Sequence, residues 1–243
     1  MSAALKRHRI PTEALISVDL ETTGGGGKVI ELGAVVLTPE GTLGPKVSTL
    51  VRQPMAVLTT KAARFVQHRV HGISPGEIQR HGVDEVEVAA RFRSWIAAVR
   101  ERWEGARLAA YGVACERTFL RKVPWGLEED WYDIRGAVKA YHDAKGGKLS
   151  TVAPALGVDV GTSHRALDDA RSAALVLATL RARLTAPPRR AEMADWQMAR
   201  FREDGCCWWI QPDPAMEYTP QPVDPRAVVR PMQAFVARTG GER

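Results

Sequence analysis

Two acidic residues, Asp19 and Glu21, follow a short apolar run at residues 15–18 and are separated by a single leucine. The run contains β-branched residues and is typical of a buried strand. Because side chains alternate along a strand, both carboxylates are expected on one face at the strand end. Such a pair is either solvated or neutralised by a divalent cation. The buried strand before it favours the cation, since unpaired charges are costly there.

A second polar group, residues 164–169 (HRALDD), precedes the last apolar stripe of the chain. Its spacing places His164 at or before the start of a helix and Asp169 in the first turns. On their own, Asp168 and Asp169 are explained equally well as acids that stabilise a helix N-terminus through its dipole. Beside Asp19 and Glu21, they suggest a shared acidic site.

Four segments in this order resemble the DEDDh family of 3'–5' exonucleases, which includes a bacterial replicative proofreading subunit, ribonuclease T and oligoribonuclease. They are DLETTG at 19–24, VIELGAV at 29–35, HGISP at 71–75 and HRALDDA at 164–170. The resemblance extends over residues 12–185. It implies an α/β fold of the ribonuclease H-like type, with a central mixed five-stranded sheet flanked by helices.

The family carries a fourth acid in a His-Asn-x-x-Phe-Asp motif, and the matching segment here is YGVACE at 111–116. Glu116 replaces the aspartate, Gly112 the asparagine and Cys115 the phenylalanine. Glutamate keeps the charge and reaches one methylene further. This departure leaves open whether the domain is fully active.

The resemblance implies two Mg²⁺ or Mn²⁺ ions, hard cations that prefer oxygen ligands. It implies His164 as general base, since an ordinary imidazole accepts a proton near neutrality. Asp133 is interpreted as structural and His71 as a loop or groove residue. The implied metal ligands, which are also catalytic, are Asp19, Glu21, Glu116 and Asp169. The implied contacts to the terminal nucleotide are Thr22, Thr23 and Gly24.

The elements that must position these residues follow from hydrophobic periodicity and turn signals. A turn at residues 39–41 separates two strands, so the first three strands are expected to be antiparallel. Ser74 and Ser150 are expected to cap helices. The predicted strands are 15–20, 29–37, 43–51 and 107–113. Five helices are predicted. The first begins after Ser74, the next three span 84–103, 134–142 and 150–157, and an apolar stripe over 167–184 marks the last.

Composition and charge agree with a globular nucleic-acid enzyme. The chain has 243 residues, 45% of them hydrophobic and 26% charged, which excludes disordered and collagen-like proteins. The whole net charge of +6 lies in residues 1–185, and a basic domain suits a phosphate backbone. Residues 186–243 hold eight of the 15 prolines. We therefore expect an exonuclease domain at 1–185 and a Pro-rich tail at 186–243 that is partly ordered at most.

The sequence thus predicts a metal-dependent 3'–5' exonuclease that acts on single-stranded or frayed 3' ends and releases nucleoside 5'-monophosphates. DNA is somewhat favoured over RNA, and a role in DNA repair or proofreading fits. The alternatives are an exoribonuclease, or a catalytically weakened domain that binds nucleic-acid ends or a polymerase, with the tail as the contact to a protein partner. Three cysteines and the lack of a run of ~20 apolar residues predict a cytoplasmic protein without a membrane span.

Overall fold

A five-stranded mixed sheet lies at the centre of the computed structural model, which describes residues 10–24, 27–141, 147–162 and 164–185. The strand order is β3-β2-β1-β4-β5. β1 pairs antiparallel with β2 and β2 antiparallel with β3, whereas β4 is parallel to both β1 and β5. The predicted fold class and the antiparallel start of the sheet are confirmed. The strands are β1 Leu15–Thr22, β2 Val29–Leu37, β3 Leu43–Leu50, β4 Arg107–Ala110 and β5 Tyr132–Asp133.

Helices cover both faces of the sheet. α4 packs on one face and α6, α7 and α8 on the other, so two apolar cores form. The first three helices and a π-helical turn at Gln67–His71 connect β3 to α4. The helices are α1 Met55–Leu58, α2 Lys61–Val66, α3 Pro75–His81, α4 Glu85–Arg102, α5 Ala114–Leu120, α6 Ile134–Tyr141, α7 Leu149–Ala155 and α8 Ala166–Thr185.

The alternation of side chains in β1 decides which face carries the acidic pair. Ile16 and Val18 are fully buried in the core beneath α4. Leu15 is buried in the other core, with α8. Asp19 and Glu21 share the parity of Leu15, so they lie on the α8 side of the sheet. Two apolar cores thus hold β1 from both faces and fix the direction of its acidic end.

One of the two predicted helix caps is confirmed, and Asp84 caps the helix that was predicted to begin there. Ser74 Oγ accepts the Glu77 N–H at 3.1 Å. Asp84 Oδ1 accepts the N–H of Val86 at 2.9 Å. The prediction that Ser150 caps a helix is wrong, because α7 already begins at Leu149 and its first residues receive no side-chain cap.

The end of the fourth strand and the short helices that follow β3 also differ from prediction. The fourth strand ends at Ala110 rather than at residue 113, because Gly112 turns the chain with a φ of 95°. The short helices α1 and α2 and the π-helical turn were not predicted, since one or two turns carry little periodicity. No helix among the described residues is long and apolar enough to cross a membrane. The predicted Pro-rich tail at 186–243 lies outside the described residues.

Candidate active site

The acidic end of β1 lies directly opposite a glycine and a third acid in β2. In the antiparallel register Asp19 faces Gly33 and Glu21 faces Glu31. The register shifts between Glu21 and Thr22, and Thr22 then pairs with Val29. Three carboxylates therefore meet on one face of the sheet, and like charges placed opposite one another are destabilising. Something positive must offset them.

Gly33 lets the start of α8 approach this face closely. A Cβ added at Gly33 would lie 2.2 Å from the carbonyl carbon of Ala166 and 2.2 Å from the Leu167 nitrogen. No side chain fits into that distance, so only glycine allows this backbone contact. The contact brings the segment that precedes α8 to the acidic end of β1.

His164 is held before α8 in the left-handed region, with a φ of 63°. This conformation is uncommon outside glycine, although histidine is among the residues enriched there. Its N–H donates to Asp169 Oδ2 at 3.0 Å. The neighbouring Asp168 accepts the Thr162 N–H at 3.1 Å instead. Asp169 thus closes the loop that presents the imidazole, in agreement with the predicted positions before and within the helix.

Glu31 and Arg165 form an ion pair that ties β2 to the same loop. Arg165 donates to the Glu31 carboxylate through NH2 at 2.8 Å and through Nε at 3.1 Å. Glu31 also accepts the Ala166 N–H at 3.0 Å. The Glu31 side chain is 3% exposed and that of Arg165 is 40% exposed. This clamp neutralises Glu31 and opposes the rise of the Glu21 pKa, but a single guanidinium does not offset all three carboxylates.

The sequence analysis missed the Glu31–Arg165 clamp. Its only sequence signal is a charged residue within an otherwise apolar strand, VIELGAV. A buried acid of that kind needs a partner. The partner is 134 positions away along the chain, so its identity depends on the fold.

Two acids and the histidine come together as one cluster. Among the described residues, ligand atoms of Glu21, His164 and Asp169 all lie within 4.8 Å of one another. Asp19 and Glu116 are not part of this cluster. They lie near enough to act electrostatically, since Glu116, Glu21 and Asp169 all raise the pKa of Asp19. The five predicted residues are thus neighbours, and three of them form a possible metal-binding cluster.

The pKa values show how poorly these carboxylates tolerate negative charge without a counterion. Desolvation, followed by Glu116 and Glu21, raises the pKa of Asp19 well above its usual value. Burial and the Asp169 carboxylate raise the pKa of Glu21 to about 8, although Arg165 opposes the shift. Burial also raises the pKa of Asp169. Burial and mutual repulsion, not hydrogen bonding, dominate this site.

Glu116 enters the site from α5. Its side chain is buried and burial raises its pKa to about 7, with a further contribution from Asp133 in β5. Its Oε2 has no hydrogen-bond partner within the described part of the chain. A buried carboxylate oxygen without a donor is costly, and a cation would satisfy it. Asp133, interpreted as structural from the sequence, contributes to the field at this acid.

The three predicted substrate contacts at the end of β1 differ in burial and in role. Thr23 is buried and its Oγ1 accepts the Lys28 N–H at 2.8 Å, so its side chain shapes the turn. Thr22 and Gly24 are partly exposed, and Gly24 has a φ of 99°. His71 is buried at the end of the π-helical turn, where its Nδ1 accepts the Ile73 N–H at 3.0 Å. Its Nε2 has no partner among the described residues.

Comparison with solved structures shows the same fold. The nuclease domain of 3'hExo, a DEDDh family member bound to rAMP, is 19% identical, with a TM-score of 0.58 over 72% of this chain and 93% of that chain. E. coli Exonuclease I in complex with a dT13 oligonucleotide is 18% identical, with a TM-score of 0.53 over 76% of this chain. The match covers 43% of that chain, so this protein spans less than half of Exonuclease I.

The family comparison assigns the chain. No curated protein matches it significantly. The ribonuclease T family, described as exonuclease, matches residues 16–177, which contain all the acids and the histidine discussed above. The exonuclease, and with it the hydrolase, predicted from the sequence is thereby confirmed. By this match, and with the site geometry in agreement, the chain belongs to the exonuclease family.

Proposed function

We propose that this exonuclease depends on divalent metal and degrades single-stranded or frayed 3' ends, releasing nucleoside 5'-monophosphates, with DNA somewhat favoured over RNA. One observation carries the proposal: ligand atoms of Glu21, His164 and Asp169 lie within 4.8 Å of one another at the end of the central strand. A water-activating imidazole and metal-binding carboxylates are the groups that phosphodiester hydrolysis needs.

The donor set fits two Mg²⁺ or Mn²⁺ ions. Carboxylate oxygens suit hard cations, and the unpartnered Oε2 of Glu116 offers an unused ligand atom. The raised pKa values of Asp19 and Glu21 support the same assignment, because a cation offsets the repulsion that causes them. We assign the ions to Asp19, Glu21, Glu116 and Asp169. A bound divalent cation supplies Lewis-acid chemistry, polarising a phosphoryl oxygen and stabilising charge on the leaving 3' oxygen.

The residues of the chain have separate tasks in this reaction. An imidazole nitrogen of His164 accepts a proton from the water that attacks the terminal phosphorus. A new oxygen–phosphorus bond forms while the bond to the 3' oxygen of the preceding nucleotide breaks, and that oxygen takes up a proton. Asp169 and the Glu31–Arg165 clamp hold the His164 loop in place. Thr22 and Gly24 border the terminal nucleotide, with Thr23 forming the turn between them.

The decisive experiment uses matched 5'-labelled single-stranded DNA and RNA with Mg²⁺, with Mn²⁺ and with EDTA. The wild type is expected to shorten the oligomers from the 3' end with either metal and to be inactive in EDTA. Asp169→Asn is expected to lower the rate by about 10³-fold or more, because several kcal/mol of transition-state stabilisation are lost. Asp168→Asn is the matched control, since this adjacent acid is outside the cluster, and its rate is expected to stay within a few-fold.

The ratio of DNA to RNA rates tests the substrate preference, which rests on the resemblance of the first motif and hairpin to the proofreading subunit. A faster RNA ladder would replace the DNA proposal with an exoribonuclease. If the chain binds both oligomers without cleaving them, the alternative of a catalytically weakened domain that binds nucleic-acid ends is supported instead. In that case Glu116→Asp, which restores the family residue, tests whether the longer side chain disables the site.

The domain boundary and the tail belong to the same proposal. The family match to 16–177 and the end of α8 at Thr185 support an exonuclease domain at 1–185. The tail at 186–243, with its predicted contact to a polymerase or another protein, lies outside the described residues and stays a prediction. So does the cytoplasmic location.

A further inference from the structure

The connection between β3 and α4 is the most one-sidedly charged part of the domain. Residues 52–81 contain five Lys or Arg and one acid, Glu77, a net charge of +4 within 30 residues. The whole chain carries +6. Three of the five cations, Lys61, Arg64 and Arg69, lie in α2 and the π-helical turn, which contain no acid. None of these elements contributes a residue to the metal-binding cluster.

This connection also lies against the loop that follows β1 and begins with Thr23 and Gly24. A Cβ added at Gly24 would be 3.7 Å from Ala62 Cβ and 3.7 Å from Val66 Cγ1, both in α2. Gly24 directly follows the two threonines at the acidic end of β1. α2 is therefore the wall beside the loop that we assign to the 3'-terminal nucleotide.

Phe65 stands on this wall with its ring in solvent. Helical spacing places it one turn from Ala62, which is one of the two residues beside Gly24. It is nevertheless 65% exposed. Three of the six large apolar side chains that are exposed in the described part of the chain lie in this connection, namely Met55, Phe65 and Val70. Exposed apolar side chains grouped beside a site indicate a binding surface.

The cations around Phe65 have no acidic partner. Lys61, Arg64 and Arg69 are exposed, and none forms an ion pair with another described residue. By comparison, Arg91 pairs with an acid on its own helix, and Arg107 lies near two acids. The side chains of α2 and the π-helical turn thus remain available for an external anion.

We propose that α2 and the π-helical turn form the surface along which single-stranded nucleic acid approaches the site. Phe65 stacks against a base, and Arg64 and Arg69 contact phosphates of the same strand. An aromatic ring beside unpaired cations is the combination that binds single strands without sequence preference. The inference rests on the proposed function, and it adds the path by which the substrate reaches Gly24.

The test measures equilibrium binding of fluorescently labelled single-stranded DNA and RNA to the full chain in EDTA, where cleavage does not interfere. Phe65→Ala is expected to weaken binding about 5- to 150-fold, the range for loss of one stacked base, and Phe65→Trp to restore it. Arg64→Gln combined with Arg69→Gln is expected to lower the salt slope by about 1.4, since each phosphate contact to a single strand contributes about 0.7.

Two variants serve as matched controls. Val86→Ala removes an equally exposed apolar side chain from α4, and Lys46→Gln removes an exposed charge from β3. Both are expected to bind like the wild type. Thermal unfolding of the Phe65 variants is expected to be unchanged, because the ring is mostly in solvent. A loss of affinity therefore reports on binding and not on folding.

The binding assay separates this inference from the proposed function. A chain that binds through Phe65 but never cleaves would support the surface and contradict the exonuclease. The chain could also cleave while its Phe65 and arginine variants bind oligomers as tightly as the wild type. That result would refute the nucleic-acid surface, and a protein partner would become its expected occupant. A wild type that binds neither DNA nor RNA would overturn it as well.

Discussion

The Glu31–Arg165 clamp makes a quantitative prediction, because its two members are buried to very different extents. Arg165→Gln leaves the Glu31 carboxylate, 3% exposed, with the Ala166 N–H as its remaining donor. Removing one partner of a fully buried pair costs about 3–5 kcal/mol. Arg165 is 40% exposed, so solvent already screens part of the pair. We therefore expect a loss of about 2–3 kcal/mol in the free energy of unfolding.

The reverse substitution should be milder. Glu31→Gln leaves a guanidinium that is 40% exposed and can be hydrated, and the new amide oxygen can still accept the Ala166 N–H. It also removes the charge opposite Glu21. We expect a cost of about 1 kcal/mol, that of one hydrogen bond. The double variant should be more stable than Arg165→Gln alone, since the clamp then no longer contains a buried carboxylate without its partner.

Urea unfolding in EDTA near neutral pH measures all three variants against the wild type. Cleavage of labelled DNA with Mg²⁺ gives the functional effect, and a 10- to 100-fold lower rate is expected for Arg165→Gln, as is typical of residues that orient ligands of a metal site. If Glu31→Gln proves as costly as Arg165→Gln, or if the double variant shows the sum of both losses, then an unpaired buried carboxylate is not what dominates here.

Three further predictions concern the site and its support. Without metal, the folded-state pKa values of about 8 for Glu21 and about 7 for Glu116 exceed the usual 4.5, so the folded protein binds more protons than the unfolded one. Stability in EDTA should therefore be fully present below pH 4.5 and fall as the pH rises towards 8, and Mg²⁺ should flatten this slope in thermal unfolding. Gly33→Ala should cost about 3 kcal/mol or more and abolish cleavage, because its Cβ would lie 2.2 Å from the backbone of Ala166; normal unfolding and cleavage would contradict the close contact. Asp84→Ala should cost about 1 kcal/mol in unfolding through loss of its cap and leave the cleavage rate unchanged, because α4 packs on the other face of the sheet; a slower rate would show coupling through β1.

Local sequence patterns correctly predicted features that depend only on neighbouring residues. The alternation in β1 correctly placed Asp19 and Glu21 on one face, because side-chain direction depends only on strand parity. Ser74 was correctly identified as a cap, because its signal lies within four residues. Ser150 was not, since the helix begins one residue earlier and the serine falls inside its first turn.

The interactions that assemble the site could not be predicted from local patterns. The partner of Glu31 follows from the packing of α8 on β2, not from any spacing. The left-handed conformation of His164 likewise follows from the bond that its N–H donates to Asp169. The resemblance supplied the identity of the acids and the central mixed five-stranded sheet. The clamp, the close approach at Gly33 and the exposed Phe65 are properties of this chain that required its three-dimensional structure.

The 134 positions between Glu31 and Arg165 have a consequence for how activity arises during synthesis. β1 and β2 leave the ribosome early, and β1 carries two of the four acids assigned to the metals, whereas His164 and Asp169 are made much later. Domains fold as units, and pairings distant in sequence form late. A growing chain therefore has no assembled catalytic centre until α8 has emerged and docked on Gly33. Exonuclease activity can therefore arise only after synthesis has passed Thr185, the last residue of α8.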